Sequence, residues 1–570
     1  MPLRPVLILS TGVLLAASSL TCAIAQAPAA RVPLTIERLM ATPALTGTTP
    51  AAPRWSPTSR QLAFLWNDRG LSARTLWLVD RAGVTPRRLL PTSNEAPVSD
   101  IAWLPAGDAL LFVQGGDIWR ATLKGQLTRL TADGGDRSDI AVSPDGRQIS
   151  FLRDGDLWLM PANGGAPVRV TSVAVAPIGT VPLGTYFRPD VEIGSATWGG
   201  DAPSYGWSPD SKTIAVHYVD RRGVPVMRIP YYLGAAPVLN SVRRSAPGDA
   251  NEVRKVGLLN VASRTLRFIE LPDSSATRIV NYAWSPTGTL LIDRESDDAI
   301  DRGVYLVSPG STSARRIWYD HRETRIYNDI ASSWAADGAH VLLTGDLDDR
   351  YRVYLLTPGD TVLRALTTGP HDVAGAAIAH AGTRSITWVS SEPNPSERHV
   401  WRMQPDGSRK RRLTTIAGTH APFVSPDGQS IALLSSNDVT PLELYLLDTG
   451  AGATEIVGCG GGGVAICTSG GGMYGGGGAS NLGGGGTMIS GGGGGFLISS
   501  ITFVSMGART TSMTFPANPV RITYIKATCS NTTNEMPIRC RRGSDCLFEK
   551  SMSQNPQRPK DSYVACIGST

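Results

Sequence analysis

The sequence predicts an all-β chain built on an eight-bladed β-propeller, with a cleaved signal peptide before it and an irregular Gly/Cys-rich C-terminal tail after it. Three observations predict this: a turn-and-strand unit that recurs eight times, apolar residues alternating with period two after each turn, and 62 glycines and 40 prolines in 570 residues. Chains so rich in turn formers build many short strands rather than helical bundles. An apolar content of 41% with 18% charged residues excludes wholesale disorder.

The N-terminal segment comes first. Arg4 supplies a positive start, residues 6–20 a mainly apolar stretch, and Ala23-Ile24-Ala25 a small-x-small cleavage site, so residues 1–25 read as a signal peptide. An apolar stretch that short, rising about 1.5 Å per residue, cannot cross a hydrocarbon core of about 30 Å, so no membrane span is expected after cleavage. An exported protein, periplasmic or extracellular, is the expectation. Residues 26–45 form a linker.

Residues 46–456 carry the repeat. Its clear copies are Trp55-Ser56-Pro57, Val142-Ser143-Pro144-Asp145-Gly146, Trp207-Ser208-Pro209-Asp210, Trp284-Ser285-Pro286-Thr287-Gly288 and Val424-Ser425-Pro426-Asp427-Gly428. Weaker copies start at Trp103, Trp334 and Ile378, and successive starts lie 48, 39, 65, 77, 50, 44 and 46 residues apart. Proline presets the first corner of a tight turn and Asp-Gly tolerates the rest. Alternating runs follow, such as Arg147-Gln148-Ile149-Ser150-Phe151-Leu152 and then Asp156-Leu157-Trp158-Leu159-Met160. Short period-two runs between turns are half-buried antiparallel strands. Roughly four strands in a repeat of about 40–50 residues make a propeller blade. The two longest intervals exceed one blade, so the surplus segments 177–200 and 224–253 are expected to be functional excursions from the scaffold.

Beyond the repeat the chain changes character. Residues 457–495 are a Gly-rich low-complexity segment, with 21 glycines among the 38 residues 458–495, too few side chains for a packed core. Cys459, Cys467, Cys529, Cys540, Cys546 and Cys566 all lie there or later, whereas all 13 tryptophans precede residue 402. Residues 496–570 follow no domain pattern and read as a disordered or out-of-frame continuation; a six-cysteine module in an oxidising compartment is the alternative. The net charge of +6 is concentrated after residue 458, where nine basic residues face four acids. About +1 is left for the rest, which excludes a nucleic-acid footprint.

Several stretches together resemble one family. They are Tyr205-Gly206-Trp207-Ser208-Pro209-Asp210 through Val224-Pro225, Tyr231-Tyr232-Leu233-Gly234, Pro247-Gly248-Asp249-Ala250-Asn251, Asn394-Pro395-Ser396-Glu397-Arg398-His399-Val400 and Thr440-Pro441-Leu442. Over residues 34–456 the chain resembles the N-terminal β-propeller of the dipeptidyl peptidase IV family, in the prolyl oligopeptidase clan. The resemblance implies an exported serine peptidase that releases dipeptides from peptide N-termini, usually after proline or alanine. Its propeller gates substrate access and contributes acids that bind the free amino terminus, while a C-terminal α/β-hydrolase domain carries Ser, Asp and His. It implies peptide N-termini as partners and a homodimer as the assembly.

This chain alone is expected to be inactive. Gly478-Ala479-Ser480-Asn481-Leu482 lacks the second glycine of a nucleophile elbow, and no histidine follows His420. No catalytic residue is therefore assigned. The alternative function is that of a periplasmic TolB-like propeller, a scaffold that binds peptides or proteins.

Two acids are the candidate substrate-binding residues. Glu192 and Asp190, in Asp190-Val191-Glu192-Ile193-Gly194, occupy the part of the chain where the family carries its amine-binding acids. The family shows adjacent glutamates, whereas Val191 intervenes here. On an extended segment residues i and i+2 share a face, so both carboxylates could still meet one ammonium through charge-assisted hydrogen bonds. A solvated loop acid is the competing reading. No metal and no cofactor are expected. Asp293-Arg294-Glu295-Ser296-Asp297-Asp298 and Asp346-Leu347-Asp348-Asp349-Arg350 lack the register of a calcium loop and read as solvated turn charges with local arginine partners. The basic run Arg409-Lys410-Arg411-Arg412 reads as an exposed blade edge.

Overall fold

The computed structural model describes residues 34–81, 86–94, 96–177, 189–194, 202–231, 238–272, 277–326, 330–360, 362–449 and 457–459. The signal peptide, the tail from residue 460 onwards and most of the 177–200 surplus lie outside them.

Eight antiparallel sheets follow one another in chain order, and their strands are consecutive in seven of the eight. The inner strands are Ala51–Trp55, Val98–Trp103, Ser138–Val142, Val191–Ile193 with Tyr205–Trp207, Thr277–Trp284, Ala331–Trp334, Val373–His380 and Thr419–Val424. Blade 4 differs: its inner strand is split, both halves pair with Thr213–Asp220, and a two-stranded hairpin, Val226–Tyr231 with Val238–Arg243, is inserted before its third strand. That hairpin fills the expected 224–253 excursion.

The repeat residues have definite jobs. The turn serine accepts the backbone N–H where the second strand begins, as in Ser143 Oγ with Gln148 at 2.9 Å and Ser425 Oγ with Ser430 at 2.9 Å. It also donates to the turn aspartate at 2.6 Å in blades 3, 4 and 8. The repeat tryptophan staples its blade to the one before. Trp103 Nε1 donates to Arg54 O at 2.9 Å, Trp284 to Gly206 O at 3.0 Å and Trp334 to Ala283 O at 2.9 Å. Four threonines just past the outer strands (Thr131, Thr171, Thr367 and Thr414) accept an N–H of the third strand at 2.9–3.0 Å.

Between the sheets lie apolar seams. Each joins one face of a blade to its neighbour, and Leu62, Phe64, Trp77 and Val79 of blade 1 pack on Ala432, Leu444 and Leu446 of blade 8. That last seam closes the ring, helped by Trp55 Nε1 donating to Phe423 O at 2.8 Å and by the Arg81–Asp427 ion pair at 2.7 Å. Full burial of one such side chain is worth about 1.5–3 kcal/mol, so closure rests mainly on apolar area.

Three expectations need correction. The blade-7 copy of the repeat starts at Ala379 rather than Ile378, because His380 pairs with Ser385 across the turn and so takes the place of the repeat serine. The propeller ends later than residue 456: Val457–Cys459 pairs with Leu444, Tyr445 and Leu446 as the outer strand of blade 8, a three-residue strand whose glycine and cysteine masked it in the sequence. The acids of the Asp293 cluster are also not all solvated. Asp293 and Glu295 lie within the wholly buried strand Leu290–Ser296, and Arg302 neutralises Asp293 through two contacts of 3.0 and 2.7 Å. The run of six polar residues after Ile292 hid a strand that continues into the charged end of the blade.

Candidate functional site at the edge of blade 4

Glu192 sits at the centre of the short inner strand Val191–Ile193, opposite Val219. Three contacts fix that strand: Val191 bonds Val175 of the preceding connection in both directions, Ile193 N–H reaches Gly155 O at 2.7 Å, and Gly194 N–H reaches His217 O at 3.0 Å. Gly155 has φ +79°, and a Cβ there would stand 3.2 Å from Glu192 Cβ and 3.1 Å from Ala174 Cβ. Only glycine supplies both the left-handed turn and the room for Glu192. The turns between second and third strands of blades 3 and 4 therefore bring Glu192 to one face of the ring.

Both candidate acids are buried, and they have different partners. Glu192 Oε1 pairs with Arg221 Nη1 at 2.8 Å. Arg221 Nε in turn pairs with Glu252 Oε2 at 2.9 Å, and Arg254 holds the other oxygen of Glu252. Asp190 is gripped through both oxygens by Arg243, at 2.8 and 2.7 Å, at the root of the inserted hairpin. The shared face inferred from i, i+2 spacing thus does not join the two acids. Glu192 is linked through Arg221 to Glu252, while Asp190 ties the hairpin to the scaffold. Arg221 and Glu252 were missed by sequence reasoning; their signal was a place beside the family-like stretches Val224-Pro225 and Asp249-Ala250-Asn251.

The same face continues as a belt of ion pairs. Asn251 Nδ2 donates to both oxygens of Asp297 at 2.8 and 2.7 Å, joining blades 4 and 5. Arg278 meets Glu295 at 2.9 Å, and Arg322 meets Asp346 at 2.8 Å. Burial raises the Glu295 carboxyl above its ordinary value, with Arg278 opposing that shift. His217 is fully buried beneath Arg221 and Arg254, with neither ring nitrogen hydrogen-bonded. Burial, and then those two cations, push it down to about 3, so it stays neutral.

Nothing among these groups is arranged to cleave a bond. A serine–histidine hydrogen bond does exist in blade 8, Ser435 Oγ to His420 Nδ1 at 2.8 Å, but the other ring nitrogen donates to Ile416 O at 2.8 Å rather than to a carboxylate. The geometry lacks the orienting acid of a triad. Among the described residues no group of three His, Cys, Asp or Glu side chains could hold a metal ion. No helix there is long and apolar enough to cross a membrane.

Fold and site together define an eight-bladed propeller that carries arginine-held carboxylates at the inner edge of its fourth blade. The chain belongs to the dipeptidyl peptidase IV N-terminal region family, whose model matches residues 135–442. Among curated proteins it is similar to a probable dipeptidyl-aminopeptidase B of Aspergillus oryzae, 22% identical over 409 residues, which cover 66% of this chain and 40% of that protein. A probable dipeptidyl-aminopeptidase B of Aspergillus terreus is 24% identical over 391 residues, 63% of this chain and 37% of that protein. The chain thus spans about 40% of the length of the curated relatives it matches. In fold it is similar to the crystal structure of Porphyromonas gingivalis dipeptidyl peptidase 4, with a TM-score of 0.58 and 19% identity over 70% of this chain and 58% of that one. The family match favours the dipeptidyl peptidase IV N-terminal propeller over the TolB-like alternative.

Proposed function

We propose that this chain is the substrate-handling propeller of an exported peptidase that releases dipeptides from peptide N-termini, with Glu192 receiving the substrate's free ammonium group. The observation that carries the reading is Glu192 itself, a carboxylate on an inner strand, held in place by Arg221 at 2.8 Å. A guanidinium fixes the direction of the carboxylate it pairs with, and a substrate ammonium would join that pair through charge-assisted hydrogen bonds. Asp190 serves here as the clamp of the hairpin. Hydrolysis requires a serine nucleophile with an oriented base, and the described serine–histidine pair, Ser435 with His420, lacks the orienting acid.

The test is a binding measurement on the full chain. A short Xaa-Pro peptide with a free amino terminus should bind, the same peptide N-acetylated should bind at least tenfold more weakly, and Glu192→Gln should abolish the difference. Equal binding of the two peptides by the wild-type chain would sink the assignment. The homodimer has its own support: the inserted hairpin pairs with no other described strand and exposes Val226, Met227, Ile229 and Leu239. Sedimentation of the wild type beside a Leu239→Asp, Ile229→Asp variant tests it, with a monomeric wild type as the contrary outcome.

A further inference from the structure

A second charged cluster lies on the opposite face, away from the blade-4 site. Arg137, Arg221, Arg302 and Arg352 are buried, and each holds a carboxylate: Asp133, Glu192, Asp293 and Asp348 respectively. Arg402, in the third strand of blade 7, is 6% exposed and pairs with no carboxylate among the described residues. Its Nε donates to Thr387 Oγ1 at 3.1 Å, and its Nη2 has no acceptor. Burial, with the charge of Arg411 adding to it, brings the guanidinium down to about 10.

The Thr387 contact gives the side chain a direction. Thr387 lies opposite Arg402 on one side and opposite Ile378 of the inner strand on the other. Arg402 therefore reaches across the second strand towards the inner one, where His380 follows Ile378 by two residues on the same face. His380 is also 6% exposed, and its Nε2 has no partner. Burial and then Arg402 hold its imidazole down to about 4. Val400 shares that face and packs on Ile431, Leu433 and Leu447, so the cluster belongs to the seam between blades 7 and 8. Gly428 of blade 8 comes close: a Cβ there would stand 3.0 Å from His380 Cβ. The neighbouring Asp427 is turned the other way, onto Arg81 of blade 1 at 2.7 Å. Arg411, the other cation, spends Nη2 on Thr449 O at 2.7 Å.

An uncompensated buried charge is strongly destabilising. A water molecule would accept the idle N–H groups but leave the charge in place. A monovalent anion does both, and charge-assisted hydrogen bonds are the stronger kind. We propose that the seam between blades 7 and 8 binds a small inorganic anion of the chloride type, held by Arg402 Nη2 and the Nε2–H of His380. His380 occupies the turn position that serine fills in blades 1, 3, 4, 5 and 8, and it gives the seam a ring donor where the serines of blades 3, 4 and 8 donate to their own turn aspartate.

Chloride itself is the probe. The full chain is titrated with sodium chloride replacing sodium gluconate at constant ionic strength, and unfolding temperature and 35Cl NMR relaxation are followed. The expected result is a saturable rise in unfolding temperature and excess relaxation with the same midpoint, the midpoint moving at least tenfold higher in His380→Gln and the response vanishing in Arg402→Met. A flat wild-type response in both measurements overturns the proposal. So does an unchanged midpoint in His380→Gln, which places any bound chloride elsewhere. Should Arg402→Met fail to fold, the wild-type and His380→Gln titrations decide the matter alone. The peptide-binding assay plays no part in this outcome, so the two readings stand or fall separately.

Discussion

Replacing Arg221 by methionine removes the cation that Glu192 and Glu252 share while keeping most of the side chain's volume. Arg221 Nη1 contacts Glu192 at 2.8 Å and Pro189 O at 3.0 Å, and its Nε contacts Glu252 at 2.9 Å, all in a buried setting. Unit charges about 4 Å apart at an effective dielectric of about 20 interact by ~4 kcal/mol. Breaking a buried pair by removing one partner costs about 3–5 kcal/mol, because the other charge is left stranded. Arg254 still neutralises Glu252, so the stranded group is Glu192. Arg221→Met should therefore lose about 3–5 kcal/mol in urea unfolding. The double variant Arg221→Met, Glu192→Gln should recover roughly half of that, since a neutral amide leaves no unpaired charge. Neighbouring sites that share a partner couple in this non-additive way. A loss below about 1 kcal/mol for the single variant, or a double variant worse than the single, would refute the claim that Arg221 holds Glu192.

Further outcomes follow from other contacts. Arg302→Met strands the fully buried Asp293 and removes a second donor from the carbonyls of Thr344 and Ala331, so it should cost about 3–5 kcal/mol, and Asp293→Leu added to it should relieve part of the loss in the same unfolding assay. His217 has a folded pKa depressed to about 3, so its contribution is present above the unfolded value of about 6.5 and is lost as pH falls from there towards 3. Each unit of that interval is worth about 1.4 kcal/mol, and His217→Leu should flatten the stability–pH curve below pH 6.5; an unchanged slope contradicts it. Phe64→Ala in the closing seam should cost about 3–5 kcal/mol and speed unfolding in stopped-flow measurements.

The ring was legible in the sequence because each blade repeats a local chemical device. Trp, Ser, Pro and Asp-Gly perform the same short-range task in successive copies, and such tasks survive translation from sequence to structure. His380 shows the limit: with a histidine where the serine belongs, the pattern slips by one residue, and only strand pairing restores the register. The charged end of blade 5 was misread for a related reason. Asp293-Arg294-Glu295 has the composition of a turn, and nothing local announces that Arg302 and Arg278 wait on adjacent strands to neutralise it. At the site, Glu192 was found through its neighbourhood in the chain. Glu252, 60 positions later, is joined to it through Arg221 only because two strands of blade 4 flank a third.

Seven of the eight sheets are drawn from an unbroken stretch of chain, and the ring is shut sideways by packing between the first and the last rather than by a strand exchanged between them. The start of Ala51–Trp55 and the end of Val457–Cys459 therefore lie at the inner and outer margins of adjoining sheets. Three strand spacings of about 4.8 Å separate such margins, a distance that a bridge of about five to eight extended residues can span. Rejoining the chain there and opening it at an exposed outer turn would leave every sheet intact, so circularly permuted forms should reach the same architecture from a different beginning.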